Sequence, residues 1–167
     1  MTWEDRVIEN LKEHDVRFVA YIPDTVLSPL ITKLSGDEYF DTTLVSREEE
    51  AVGVLSGAWL GGTRGALICQ SSGIANSFNG LGSLSIPTGI PFLGLVTRRG
   101  DLDEHNIAHA ATEYPMPRLL DEVGVKNHRV SDPDAVGEYV KMAGKSAFRQ
   151  EKPYILLLEP TVFKREA

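Results

Sequence analysis

Apolar residues follow two different spacings that alternate along the chain. Short, continuous, β-rich runs predict strands buried on both faces, and apolar residues three or four positions apart predict helices. Strands that alternate with helices predict an α/β fold in three layers, with a six-stranded, mainly parallel sheet covered by helices on both faces. The predicted strands are 16–22, 41–45, 66–69, 91–96, 126–130 and 153–159, and the predicted helices are 2–14, 26–34, 48–60, 73–84, 115–123 and 132–147.

Length, composition and charge limit the kind of protein. The 167 residues are 42% hydrophobic and 25% charged, which is typical of a globular chain, and we expect one domain over 1–167. The net charge of −7 argues against a nucleic-acid partner, which needs a basic surface. Cys69, the one cysteine, can form no intrachain disulfide. The chain shows no signal peptide and no long apolar run, so we expect a cytoplasmic protein that does not bind membranes.

In a parallel sheet, ligands bind at the carboxyl ends of the strands. This rule selects the loops 23–25, 46–48, 70–73 and 97–109. The loop 46–48 leads into three consecutive acidic residues that open a predicted helix, with Ser46 as its expected N-cap. In one interpretation these carboxylates only complement the helix dipole. In the other, Glu48 is a carboxyl group for proton transfer, because the small residues that follow it, among them Ala51 and Gly57, allow a ligand or another backbone to approach closely.

A polar turn follows the third predicted strand. Gln70, Ser71, Ser72 and Gly73 lead into the next helix, which carries Asn76. Free backbone N–H groups at such a turn can hold an anion or a polar ring. An ordinary capped turn between a strand and a helix explains the same residues. The turn lacks the lysine of a phosphate-binding loop.

The loop 97–109 concentrates charged and titratable side chains. Arg98 and Arg99 are candidates to bind a carboxylate, a phosphonate or a sulfonate, and His105 is a candidate for proton transfer. A solvated surface loop, in which these charges compensate those of Asp101, Asp103, Glu104 and His109, is the alternative. His105 and His109 have the i,i+4 spacing of metal ligands, but the glutamate of the zincin motif is absent, which argues against zinc.

The turn after the first predicted strand holds Asp24 and Thr25. An aspartate there is expected to cap the helix that starts near Val26. Asp24 is also a candidate carboxylate, and Thr25 a candidate substrate contact, at the mouth of a site formed with the other loops.

Three of these segments, in order, resemble the pyrimidine-binding domain of thiamine-diphosphate-dependent decarboxylases. They are VSREEEAVGVLSGAWLGG at 45–62, ALICQSSGIANSFNGL at 66–81 and GLVTRRGDLDEHN at 94–106. The resemblance runs from IPDTVL at residue 22 to the last predicted strand. It is closest to the alpha subunits of sulfopyruvate decarboxylases, with phosphonopyruvate decarboxylases as near relatives.

The resemblance implies roles for matching residues. Glu48, aligned through Ala51 and Gly57, corresponds to the glutamate that binds N1′ of the cofactor's aminopyrimidine. Asp24 resembles an acidic residue that carries protons. The implied contacts with the cofactor are Gln70, Ser71, Ser72, Gly73 and Asn76, and those with the substrate are Thr25, Arg98, Arg99 and His105.

The motif for the cofactor's diphosphate is missing from the chain. In the family, a Gly-Asp-Gly segment and a later Asn-Asn bind the diphosphate through magnesium, and this chain has neither. We therefore expect a separate beta subunit that carries this domain and holds the magnesium, a cofactor shared between two subunits, and no metal ligand on this chain. The resemblance implies decarboxylation of a small anionic 2-oxo acid. The expected substrate is 3-sulfopyruvate, which would give sulfoacetaldehyde and carbon dioxide. The alternatives are a subunit that acts on phosphonopyruvate or another 2-oxo acid, and a non-catalytic binding or regulatory module of the same fold.

Overall fold

The computed structural model describes residues 1–100, 104–110 and 114–163. Strands and helices alternate along these residues. In chain order the elements are α1 (Trp3–Glu13), β1 (Val16–Tyr21), α2 (Ser28–Ser35), β2 (Asp41–Leu44), α3 (Glu48–Leu60), β3 (Arg64–Gln70), α4 (Ser71–Asn76), α5 (Phe78–Gly80), a π-helix (Leu81–Ser85), α6 (Ile86–Thr88), β4 (Leu93–Thr97), α7 (Ile107–Ala110), α8 (Met116–Val123), β5 (Lys126–Val130), α9 (Val136–Gln150), β6 (Tyr154–Leu158) and a 3-10 helix (Pro160–Phe163).

The six strands form one sheet in the order β2-β1-β3-β4-β6-β5. All five pairings are parallel, so the sheet is fully rather than mainly parallel. The chain crosses from β1 to β2 on one side of it, and then crosses back to β3, which lies on the other side of β1. This change of direction creates a crevice between the carboxyl ends of β1 and β3, which is the usual ligand position in such sheets.

Two buried clusters hold helices on the two faces of the sheet, which confirms the predicted α/β layering. On one face, side chains of α1, α2 and α9 pack with Ile68 and Leu95 of the sheet. On the other, α3, α8 and the π-helix pack with Leu67 and Val96. Alternate residues of β3 and β4 thus face opposite layers, as expected for strands buried on both sides. None of the described helices is both long enough and apolar enough to span a bilayer.

The segment between β3 and β4 differs from the prediction. The sequence predicted one helix over 73–84 and a loop bracketed by Pro87 and Pro91, but helical structure begins at Ser71 and continues past Pro87 to Thr88. Proline lacks an N–H and crowds the carbonyl four residues earlier, so a regular α-helix cannot run through it unchanged. A π-helix directly before α6 widens the turn there. Gly89, with φ of 67°, ends the segment in a left-handed conformation.

The prediction that Ser46 is the N-cap of α3 was also wrong. Arg47, in an extended conformation, is the N-cap, and no side chain accepts a hydrogen bond from the first turn as a cap. Ser46 instead donates its backbone N–H to Glu50 Oε2 at 2.8 Å. The helix predicted from residue 132 begins at Val136, because the preceding residues form a turn in which Asp132 accepts the backbone N–H of Asp134.

Gly144 of α9 packs directly against His14, the C-cap residue of α1. A methyl group there would overlap the ring of His14, whose Nε2 lies 2.8 Å from the carbonyl oxygen of Lys141. We expect Gly144→Ala to lower the free energy of unfolding by about 1–3 kcal/mol, the usual cost of overpacking. Urea unfolding measures this change. The control is Gly53→Ala in α3, where the added methyl meets no atom within 4 Å and helix propensity should add about 0.5–1 kcal/mol. Equal effects of the two substitutions would contradict this account.

Candidate active site

Glu48 is the first residue of α3, and it is only 8% exposed. Its two acidic neighbours are engaged elsewhere. Glu49 accepts a hydrogen bond from Asn79 at 3.1 Å, and Glu50 accepts the backbone N–H of Ser46. No residue in the described part of the chain donates a hydrogen bond to the Glu48 carboxylate or pairs with it. Of the three glutamates, Glu48 alone combines burial with open acceptor positions.

Gly73 of α4 provides the surface on which the Glu48 side chain lies. A methyl group at Gly73 would overlap Oε1, Cδ and Cγ of Glu48. A glycine is therefore needed at this position for the carboxylate to lie where it does. The contact joins the residues that follow β2 and β3, two strands that are separated in the sheet by β1.

Cys69 lies at the same end of β3 and is completely buried. Burial raises the pKa of its thiol well above the ordinary value, and the negative charges of Glu48 and Asp24 raise this pKa further. The thiol is therefore protonated at neutral pH, and Cys69 is a packing residue rather than a nucleophile. Both carboxylates thus lie near enough to Cys69 to raise the pKa of its thiol.

Asp24 follows β1, and both of its carboxylate oxygens are occupied. Oδ1 accepts the backbone N–H groups of Val26 and Leu27 at 3.0 and 3.2 Å, so Asp24 caps the turn that leads into α2. Oδ2 accepts a hydrogen bond from Arg99 Nη2 at 2.7 Å. The side chains of Asp24 and Arg99 are only 3% and 16% exposed, which makes this a largely buried ion pair.

The side chains of the polar turn after β3 differ in burial and in hydrogen bonding. Ser71 is buried, and its hydroxyl accepts the backbone N–H of Arg99 at 3.0 Å, which ties the loop after β4 to the start of α4. Gln70 and Ser72 are half-buried and Asn76 is exposed. Within the described ranges, the side chains of these last three residues make no hydrogen bond.

The two adjacent arginines point to different partners. Arg98 Nη1 lies 3.2 Å from Glu159 Oε1, and Arg129 Nε lies 2.5 Å from the same oxygen. Arg99 turns toward Asp24. Glu159 follows β6 and Asp24 follows β1, and these two strands lie on opposite sides of β4 in the sheet, which explains the divergence. The sequence doublet thus does not form one two-arginine clamp. Glu159, which sequence reasoning missed, ends the predicted strand 153–159 and so lies at the same carboxyl edge of the sheet.

A cleft of about 690 Å³ opens beside the Asp24–Arg99 pair. Thr25, Arg99 and His105, which the sequence predicted as site residues, all line it, together with His109 and the previously unassigned Glu104. Arg98 is not among the described residues that line the cleft. Asp101 and Asp103, also noted in this loop, lie outside the described residues.

Glu104 organises the loop that forms the outer wall of this cleft. Its carboxylate accepts the backbone N–H groups of Asn106 and Gly100 at 2.9 and 3.4 Å. The hydrogen bond from Asn106, followed by that from Gly100 and the charges of His109 and Arg99, holds the pKa of Glu104 below its usual value despite partial burial. Among the described residues, no group of three or more His, Cys, Asp or Glu side chains is arranged to hold a metal ion.

Two curated proteins match this chain over most of their length. The sulfopyruvate decarboxylase subunit alpha of Methanococcus maripaludis is 31% identical over 166 residues, which are 99% of both chains. The protein of the same name from Methanocaldococcus jannaschii is 30% identical over 149 residues, 89% of this chain and 88% of that one. A phosphonopyruvate decarboxylase of Streptomyces hygroscopicus is 32% identical over 160 residues, but the match spans only 38% of its length. No family model matches the chain.

A solved structure has the same fold. It is a 2-oxoglutarate:ferredoxin oxidoreductase from Magnetococcus marinus, with a TM-score of 0.77 over 98% of this chain and 29% of that one, at 16% sequence identity. Fold and site together define an α/β domain with a fully parallel sheet and a buried carboxylate at the carboxyl edge of that sheet. Within that class, the end-to-end identity to the methanogen proteins shows that the chain belongs to the family of sulfopyruvate decarboxylase alpha subunits.

The contact between Glu48 and Gly73 makes a structural prediction. Gly73→Ala should force the Glu48 side chain out of its present position, because the new methyl overlaps three of its atoms. We expect a loss of about 1–3 kcal/mol in the free energy of unfolding. Urea unfolding and a crystal structure of the variant measure the two effects. In the matched control, Gly82→Ala, the methyl meets no atom within 4 Å. An unmoved Glu48 in Gly73→Ala would refute the proposed contact.

Proposed function

We propose that this chain is the subunit that supplies Glu48 to a thiamine-diphosphate-dependent decarboxylase of 3-sulfopyruvate. In this reaction the bond between the carboxylate carbon and the keto carbon breaks, carbon dioxide leaves, and a proton takes its place to give sulfoacetaldehyde. The observation that carries the proposal is the buried Glu48 carboxylate, which pairs with no described residue, in a chain that matches an alpha subunit of sulfopyruvate decarboxylase from end to end.

The geometry of Glu48 fits the role implied by the family. A carboxyl group that is mostly withdrawn from water, and that no described residue of its own chain satisfies, is suited to exchange a proton with a bound ring nitrogen. Glu48 would hold that proton at N1′ of the aminopyrimidine. When bound, thiamine diphosphate supplies the electron sink that decarboxylation of a 2-oxo acid needs.

The turn after β3 would hold the rest of the pyrimidine ring. Gln70, Ser72 and Asn76 have polar side chains that are not consumed by hydrogen bonds within the described residues. Gly73 lets a flat ring and the Glu48 carboxylate approach the backbone closely. Ser71 contributes indirectly in this proposal, since its hydroxyl already holds the backbone of Arg99.

The cleft beside Arg99 would bind the substrate. A guanidinium group has five N–H donors, and the contact with Asp24 uses only one end of it. Arg99 can therefore donate to the sulfonate, with Thr25 at the same wall of the cleft. His105, which also lines the cleft, would serve as a proton donor or acceptor near the keto carbon.

Phosphonopyruvate is the second candidate substrate. The matches to phosphonopyruvate decarboxylases reach 42% identity over 85 residues in the protein of Streptomyces viridochromogenes. Sulfonate and phosphonate are both tetrahedral anions, and a single guanidinium group binds either. Turnover of both substrates by the same complex, compared as kcat/KM, decides between them.

The cofactor's diphosphate and its magnesium would be held by a separate beta subunit. The chain contains neither Gly-Asp-Gly nor Asn-Asn, and the relatives that match it end to end are named as alpha subunits. The exposed face of α3 is the proposed contact surface. Gly53, Gly57 and Leu60 lie along this face at helical spacing, Leu60 is 79% exposed, and a methyl group at either glycine would meet no atom within 4 Å.

The decisive experiment is reconstitution with the partner subunit, thiamine diphosphate and magnesium, followed by measurement of carbon dioxide release from 3-sulfopyruvate. We expect Glu48→Gln to lower kcat by about 10²–10⁴-fold, because a carboxamide cannot exchange the proton. The matched control is Glu49→Gln, whose amide oxygen can still accept the hydrogen bond from Asn79. Full activity of Glu48→Gln would refute the mechanism, and an inactive wild-type complex would refute the function.

Disruption of the α3 face should separate the two subunits. We expect Leu60→Asp to raise the dissociation constant at least about tenfold, because it places a charge in an apolar contact, where an unpaired charge is costly. Sedimentation of the mixed subunits measures this change. The control is Met142→Asp, since Met142 is also exposed, at 48%, but lies on α9 across the sheet. Equal weakening by both variants would show that α3 is not the specific contact.

A further inference from the structure

We propose that Asp24 is a positioning residue for Arg99 and not a proton carrier. In this inference, which rests on the proposed function, the Asp24 carboxylate fixes one end of the Arg99 guanidinium so that the other end faces the sulfonate of the substrate. The family resemblance alone implied a role in proton transfer for Asp24, and the geometry points to a different one.

The hydrogen bonds of Asp24 leave little room for a proton. Its carboxylate accepts three donors, two backbone N–H groups at Oδ1 and Arg99 Nη2 at Oδ2. The Asp24 side chain is only 3% exposed. A proton on Oδ1 would displace one of its two backbone donors, and a proton on Oδ2 would remove the negative charge that strengthens the bond from Arg99. Inside the protein, either loss is costly. A group that must give up such a bond at every turnover is poorly suited to carry protons.

Arg99 is fixed at two points. Its backbone N–H donates to Ser71 Oγ at 3.0 Å, and its side chain donates to Asp24 at 2.7 Å. These anchors come from the ends of β3 and β1, the two strands that border the crevice in the sheet. The guanidinium therefore lies across the crevice and forms part of the wall of the 690 Å³ cleft.

The remaining donors of Arg99 give the cleft its selectivity for an anion. Arg99 Nε is buried and has no hydrogen-bond partner among the described residues. Glu104, which also lines the cleft, is already held by Asn106 and Gly100 and lies close to His109. The Asp24–Arg99 pair is formally neutral, but the guanidinium donors that Asp24 does not use can still bind an anion. In the proposed complex, the sulfonate of the substrate accepts hydrogen bonds from the guanidinium donors that Asp24 does not use.

The test uses the reconstituted complex with 3-sulfopyruvate and the variants Asp24→Asn, Arg99→Gln and their combination. Asparagine keeps an oxygen that caps Val26 and Leu27 but loses the ion pair. We expect Asp24→Asn to raise KM about ten- to hundredfold, the effect of one lost charge-assisted hydrogen bond. The pH profile of kcat should keep both of its limbs. The double variant should be no worse than Arg99→Gln, because both substitutions disable the same guanidinium.

A second measurement is independent of activity and of the cofactor. Phenylglyoxal labels accessible arginine side chains, and mass spectrometry locates the label within a peptide. In Asp24→Asn the label on Arg99 should increase at least about threefold, because the lost ion pair frees the guanidinium. Arg98 is the internal control in the same peptide, since its partner Glu159 is unchanged. Asp24→Ser, which retains a hydroxyl cap, is the second variant if Asp24→Asn folds poorly.

Several outcomes would overturn the inference. A fall in kcat at unchanged KM, together with loss of one limb of the pH profile, would identify Asp24 as a proton carrier. Effects of the two single variants that multiply in the double variant would show that the residues act separately. Unchanged labelling of Arg99 would show that Asp24 does not hold it. If the wild-type complex is active, each of these results refutes the inference alone, whereas an inactive wild type removes the proposed function as well.

Discussion

The contact between the Glu48 carboxylate and the backbone of Gly73 is the constraint on which the site depends. Glu48 opens α3 after β2, and Gly73 lies in α4 after β3. Although β1 separates these strands, the parallel sheet brings the two helix starts together at one edge. A side chain at Gly73 would push the carboxylate away. The site is thus built from the closest approach of two crossover connections.

The other charged groups described above at this edge have ion-pair partners within the chain. Asp24 pairs with Arg99, and Glu159 pairs with both Arg98 and Arg129. Breaking a buried pair leaves an uncompensated charge and costs several kcal/mol, roughly 3–5 in measured cases. These ion pairs therefore fix the positions of the charged side chains at this edge of the sheet. Glu48 differs because no described residue neutralises it, which leaves it able to bind a group from outside the chain.

The sequence predicted all six strands to within about two residues. The central strands β1, β3, β4 and β6 are short apolar runs because both of their faces are covered, whereas the edge strands β2 and β5 are more polar and have a weaker pattern. The rule for carboxyl ends likewise selected the loops that hold Asp24, Glu48 and Arg99. The directions of side chains were not predictable in this way. The divergence of Arg98 from Arg99 depends on neighbours distant in sequence, and so does the part of Glu104 in the cleft. The roles of the site residues remain predictions.

A nearly buried carboxylate that no described residue neutralises has a physical consequence for binding. Its desolvation opposes folding of the chain, and the two apolar clusters on the faces of the sheet must offset that cost. Any ligand or partner that supplies a donor to Glu48 recovers part of this free energy on binding, so its binding also stabilises the fold. If that donor belongs to a cofactor shared with a second subunit, as proposed above, the same carboxylate would favour both cofactor binding and association of the subunits.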